Sequence, residues 1–141
     1  MNGKSWISDL ESIPLGLYEK ALPKDLSWEQ RLTLTRQTGF DVLEISIDDT
    51  DERIARLDWS SGERRSLKKI VEMTGLPIQS LSLSAHRRFP LGSKSSEIRA
   101  KALDVFKKSI DLAVEIGART LLVGGAEDYY QEVDQGSRER F

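Results

Sequence analysis

TGFDVLEISI, from Thr38 to Ile47, decides the fold of this chain. It opens with a glycine just past a helix-like pattern, crosses a short link and enters an apolar/polar alternation. Glycine at that point suits the left-handed conformation that closes a helix. Alternation with a period of two marks a strand whose two faces differ. The same punctuation returns in TGLPIQSLSLS, from Thr74 to Ser84, and in IGARTLLVGG, from Ile116 to Gly125.

A helical pattern precedes each of these segments. Ser27 to Thr38 opens on Ser27 with Gln30 three residues later, a capping box, and sets Trp28 and Leu32 on one face. Ser61 to Thr74 is introduced by Ser60 with Glu63, and Leu67, Ile70, Val71 and Thr74 form its stripe. Ser96 to Ile116 carries Ile98, Ala102, Val105, Leu112 and Ile116 on one face, widened by Leu103, Phe106 and Ile110. An earlier strand is expected from Ile13 to Glu19 and a new helix near Ser137. The order is β-α-β-α-β-α-β with strand starts every ~30–40 residues, the spacing of βα units and so of a parallel sheet.

The alternation also assigns faces. Leu43, Ile45 and Ile47 oppose Glu44, Ser46 and Asp48; Leu81 and Leu83 oppose Ser80, Ser82, Ser84 and His86. Leu15 and Leu17 oppose Gly16 and Tyr18, and Leu121 and Val123 oppose Leu122, Gly124 and Ala126. A doubly wound sheet, covered by helices on both faces, reads more uniformly apolar. One aliphatic face and one small or polar face predict an α/β fold of (β/α)-barrel type, with the polar face turned inward. A whole barrel takes about 250 residues. The 141 residues here, ending at Phe141, predict about half a barrel: four parallel strands with intervening helices, in one domain over 1–141.

Composition narrows the function. Charged residues make up 31% and hydrophobic ones 38%, which fits a globular cytoplasmic protein with a core. A net charge of -2 gives no footprint for nucleic acid or an anionic membrane surface. There is no cysteine, so disulfides and thiolate metal sites are excluded. No apolar run reaches the ~20 residues of a membrane span, and the N-terminus lacks a secretory apolar core.

The candidate site lies at the strand ends, where α/β proteins bind ligands. His86, the single histidine, is followed by Arg87 and Arg88. His86 on the inward parity would hydrogen-bond a ligand hydroxyl or line a metal site from the side; otherwise it caps the rim through a backbone contact. Guanidinium pairs well with phosphate oxygens, and only one of Arg87 and Arg88 shares the inward direction. Their alternative is salt bridging to Asp48, Asp49 or Asp51. Glu44 is the best-placed inward carboxylate, for a hydroxyl, to orient His86, or as a structural carboxylate paired with a basic residue. Tyr18 shares the inward parity and would contact a ligand or pack against the loop. The acidic run Asp48, Asp49, Asp51 and Glu52 lacks calcium-loop spacing and reads as a solvated loop. The run from Glu63 to Lys69 reads as a solvent-facing helix surface, and Gly124-Gly125 is no dinucleotide fingerprint.

Four strings carry a resemblance: PLGLYEKALPKDLSW (Pro14–Trp28), GFDVLEISIDDTDERIARLDWS (Gly39–Ser60), LSLSAHRRFPLGS (Leu81–Ser93) and YYQE (Tyr129–Glu132). Together they resemble the sugar-phosphate 3-epimerases that interconvert L-ribulose 5-phosphate and L-xylulose 5-phosphate, which are xylose-isomerase-like TIM barrels. The resemblance runs from about Ile13 to Phe141 and covers the N-terminal half of that family. It implies an isomerase of pentose or ascorbate breakdown, with a pentulose phosphate as substrate and metal-assisted proton transfer through an enediolate. It implies a divalent metal (Mn2+, Zn2+ or Mg2+) in the complete enzyme, held with the catalytic groups beyond Phe141. No metal would then be bound by this chain alone, and the chain alone would be inactive. Tyr18, Glu44, His86 and Arg87 are the expected substrate-binding residues. VGGAEDYY departs from the family's alanine-glycine-tyrosine-aspartate run at Ala126 and Glu127. The unpaired edges of a half-barrel imply self-association, as a homodimer in the simplest case.

Overall fold

The structure is a computed structural model describing residues 13–124 and 135–140. Strands β1 (Gly16–Tyr18), β2 (Val42–Ile47), β3 (Ile78–Leu83) and β4 (Thr120–Val123) form one parallel sheet in the order β1-β2-β3-β4. Helices α1 (Trp28–Gln37), α3 (Ser61–Thr74) and α4 (Ser96–Ile116) connect them, with short helices α2 (Asp51–Ile54) and α5 (Ser137–Arg140). Sequential parallel order without a reversal is the order of a barrel arc, not of a doubly wound sheet.

Local chemistry sets the boundaries. Both capping boxes form, Ser27 with Gln30 and Ser60 with Glu63, and satisfy amides that a helix start otherwise leaves unpaired. Gly39, Gly75 and Gly117 all take positive φ, the conformation needed to turn each helix back toward the sheet. The first strand is shorter than Ile13–Glu19. Glu19 begins a 3-10 turn, and its carboxylate, rather than its backbone, meets the β2 amide of Ser46 at 2.6 Å.

The helices share one face of the sheet, α1 packing on α3 and α3 on α4. Leu43, Ile45, Ile47, Leu81 and Leu83 are buried there with Leu32, Leu67, Val105 and Leu112. Each such side chain contributes about 1.5–3 kcal/mol of transfer free energy. Leu103 and Ile110, expected to widen the α4 face, are instead exposed.

Two expectations of solvent-facing runs hold only in part. In the acidic run after β2, Asp51 and Glu52 are exposed, but Asp48 is buried and Thr50 caps α2. Within the run from Glu63 to Lys69, Arg64 is half-buried and donates to the carbonyls of Trp59 and Leu57, locking the start of α3 to the loop before it. Loop Pro90–Ser93 meets α5 closely: a Cβ on Gly92 would lie 2.5 Å from the Ser137 carbonyl oxygen. The expectations for Ala126, Glu127 and Tyr129–Glu132 lie outside the described residues.

Candidate functional site

The face of the sheet opposite the helices carries two rows. Register places Tyr18, Glu44, Ser80 and Thr120 side by side, and Ser46, Ser82 and Leu122 in the next row toward the strand ends. Ser80 donates to Glu44 Oε2 at 2.7 Å, and the Tyr18 hydroxyl donates to Ser46 Oγ at 2.9 Å. Tyr18 and Glu44 are half-buried. Among the described residues no basic side chain pairs with Glu44, so the structural pairing considered for it does not form. The result is a carboxylate with acceptor capacity to spare, beside hydroxyls that can donate or accept. Such a surface has the donors and acceptors to hydrogen-bond several hydroxyls at once.

Beneath Ser46 lies a charge network that the sequence reading did not find. Glu19 is fully buried and accepts from Arg53 at 2.8 Å, Arg56 at 2.7 Å and the Ser46 amide, all through Oε1. Arg56 also donates to the Ser46 carbonyl at 3.2 Å, so both backbone groups of Ser46 are held. The Arg56 guanidinium lies 5.1 Å from the Trp28 ring centre and 6.0 Å from that of Trp59. Those rings meet edge-to-face at 5.9 Å. The network therefore fixes the strand segment that presents Ser46 to Tyr18.

Asp48 follows on the same parity as Ser46 but is spent on structure. Lys20 lies 2.6 Å from Oδ2, Arg53 Nε lies 3.6 Å away, and Thr50 donates twice to Oδ1. Burial would raise its pKa, but the hydrogen bonds from Lys20 and Thr50 outweigh burial and hold it at about 2. A depressed carboxyl stabilises the fold fully above its unfolded value of 3.8 and loses that contribution as pH falls toward 2. Asp48→Asn is expected to flatten urea-measured stability between those pH values, by about 1 kcal/mol given the exposure of Lys20. An unchanged acid slope would refute the assignment.

His86 does not point inward. β3 ends at Leu83, and His86 sits in a 3-10 turn, Ala85–Arg87, to which the two-residue period does not apply. Its ring is buried under α4, 6.1 Å from the Phe106 ring, with Nε2 donating to the Ala102 carbonyl at 3.2 Å. This is the backbone contact of the alternative reading, and His86 cannot orient Glu44 from there. Burial pushes its pKa below 6.5, the Ala102 contact opposing, so the ring is neutral at pH 7. A lowered imidazole pKa means that stability falls as pH drops below 6.5, because the unfolded chain binds the proton more readily. His86→Gln keeps the donor without the titration and should remove that slope in a pH series of melting temperatures.

Arg88 pairs with Asp51 and donates to the Asp49 carbonyl, the salt-bridge alternative. Arg87 ends the same turn and is exposed. Among the described residues no three His, Asp or Glu side chains converge on one point. Among the described residues Glu44 has no carboxylate or imidazole beside it, and His86 is turned away. The described residues therefore do not fit a divalent metal.

Comparison with known proteins agrees with the fold. Residues 32–141 match the family described as xylose isomerase-like TIM barrel. SgbU of Escherichia coli is 50% identical over 127 residues, 90% of this chain and 44% of SgbU. UlaE of Shigella sonnei, named as an L-ribulose-5-phosphate 3-epimerase, is 47% identical over 131 residues, 93% of this chain and 46% of UlaE. The chain thus spans about half the length of the curated relatives it matches. Among solved structures, a D-psicose 3-epimerase in the presence of D-fructose superposes with a TM-score of 0.71 over 91% of this chain and 44% of that one, at 18% identity. A D-psicose 3-epimerase with D-tagatose from Clostridium cellulolyticum gives 0.69 over 91% and 44%, at 21% identity. Those two likenesses establish the fold.

Proposed function

Because the chain belongs to the xylose isomerase-like TIM barrel family, we propose that it forms the N-terminal half of an isomerase acting on a pentulose 5-phosphate. The reaction is 3-epimerisation between L-ribulose 5-phosphate and L-xylulose 5-phosphate. The likeness to UlaE across nearly the whole chain carries this reading, and the polar rows supply compatible chemistry. The C3 hydrogen of such a ketose is acidic because it neighbours the C2 carbonyl. Epimerisation removes that proton from one side and returns one to the other. In this reading Tyr18, Glu44 and the serines beside them hold sugar hydroxyls and set the face presented for proton transfer. Arg87 meets the phosphate at the rim, while His86 props the turn that carries it. The proton-transfer groups and the divalent metal belong to the other half of the complete enzyme. The chain alone is inactive, and a phosphorylated sugar places the reaction in the cytoplasm.

A graft tests this. Placing the chain in the matching half of Shigella sonnei UlaE should give an enzyme that turns over L-ribulose 5-phosphate and discriminates against free L-ribulose. A folded graft without turnover, assayed beside active UlaE, would overturn the proposal. Measurable epimerisation by the isolated chain with Mn2+ or Zn2+ added would refute its inactivity.

A second reading, self-association as a homodimer, is favoured by the sheet edges. β1 and β4 each have one partner among the described strands, and Leu122 beside the open edge is 55% exposed. Pairing two arcs edge to edge would cover both edges. Sedimentation of a single monomeric species that melts cooperatively would exclude it.

A further inference from the structure

Just past the C-terminal ends of β1 and β2 lies a pocket of about 270 Å3, separate from the polar rows. Lys20, Lys24, Arg31 and Arg53 line it against only two carboxylates, Asp48 and Glu52. Lys20 and Arg53 are committed to Asp48, and Arg53 also to Glu19. Lys24 and Arg31 form no ion pair among the described residues. Arg31 is 6% exposed, and its Nε and Nη2 donate to the carbonyls of Leu26 and Lys24 at 2.9 and 2.6 Å. Those bonds fix the loop that carries Lys24. Its third nitrogen, Nη1, is buried without a hydrogen-bond partner. A buried guanidinium donor left unpaired is costly. A guanidinium with such a donor, lining one pocket with an uncommitted ammonium, is suited to a tetrahedral oxyanion.

We infer that this pocket is an anion site for a phosphate group, held by Lys24 and Arg31 with Lys20 at its edge. It does not depend on the epimerase reading, because it rests on an excess of cations and an unpaired guanidinium donor. Two sources share the chemistry: free inorganic phosphate, or the phosphate of a sugar phosphate whose polyol reaches the polar rows, in which case this pocket takes the substrate phosphate in place of Arg87.

The test is calorimetric titration of the whole chain with sodium phosphate at constant ionic strength, set by chloride. Binding with Kd on the order of 1 mM is expected, and Lys24→Ala, at an exposed position, should weaken it about five- to tenfold. Arg31→Lys keeps a charge but loses the fork, and should weaken binding comparably; its thermal melt reports whether the fold survives. A parallel titration with L-ribulose 5-phosphate separates the sources. Affinity equal to that of phosphate assigns the site to the free ion. At least tenfold tighter binding, reduced by Lys24→Ala and not by Arg87→Ala, assigns it to the sugar phosphate. No saturable phosphate binding, or binding indifferent to Lys24→Ala, overturns the inference. Neither result decides whether a UlaE graft is active, so the two proposals fail separately.

Discussion

Glu19→Ala is expected to destabilise the fold by about 3–5 kcal/mol, the cost of breaking a buried ion pair on one side. Two guanidiniums lose their shared anion at 2.7 and 2.8 Å. Arg53 retains Asp48 at 3.6 Å, whereas among the described residues Arg56 retains only the Ser46 carbonyl and two tryptophan faces. The Ser46 amide also loses its acceptor. Glu19 Oε2 is already buried without a partner, so the native carboxylate is itself imperfectly satisfied and the cost should sit nearer the lower figure. Against a typical domain stability of about 5–15 kcal/mol, the loss remains large. Glu19→Gln separates the contributions, since the amide oxygen can still accept from Ser46 while the charge is gone. It should cost about half as much, and Arg56→Met in the Glu19→Ala background should recover part of the loss by removing the stranded cation. An unfolding free energy for Glu19→Ala, from urea titration, within about 1 kcal/mol of the parent would show that the network does not carry the β1–β2 junction.

The network also marks where sequence reading stops. Capping boxes, glycine stops and two-residue alternation are local signals, and they placed α1, α3, β2 and β3 and the inward parity of Tyr18 and Glu44. Glu19 meets Arg53 and Arg56 across 34 and 37 residues. No periodicity links such positions, and each arginine alone reads as a solvated loop charge. The tryptophans were the available hint, because Trp28 and Trp59 flank these charges and aromatic faces commonly cover a guanidinium. His86 departs from its strand parity for a different reason. It lies three residues beyond Leu83, where the ladder ends and a turn with about three residues per revolution begins. Strand parity holds only as far as strand pairing does.

Glu44→Gln, made in the UlaE graft, is the activity change with the largest expected effect, and its pattern separates binding from structure. Glu44 sits mid-row between Tyr18 and Ser80, with Oε2 taken by Ser80 at 2.7 Å. A glutamine preserves the shape and can keep that bond through its oxygen, so stability should change by less than about 1 kcal/mol. What it loses is an anionic acceptor, which in the proposed function holds a substrate hydroxyl. A hydrogen bond from a hydroxyl to a charged acceptor is worth about 1.5–3 kcal/mol, or roughly 10- to 150-fold in kcat/KM. If Glu44 only holds the sugar, the loss falls on KM with kcat nearly intact. If it fixes the face from which the proton leaves, kcat falls with kcat/KM. Tyr18→Phe should act more weakly on the same parameter, because its hydroxyl reaches the row through Ser46 rather than from a free position. A Glu44→Gln graft with unaltered kcat and KM would remove the polar rows from the substrate site and leave them as barrel filling.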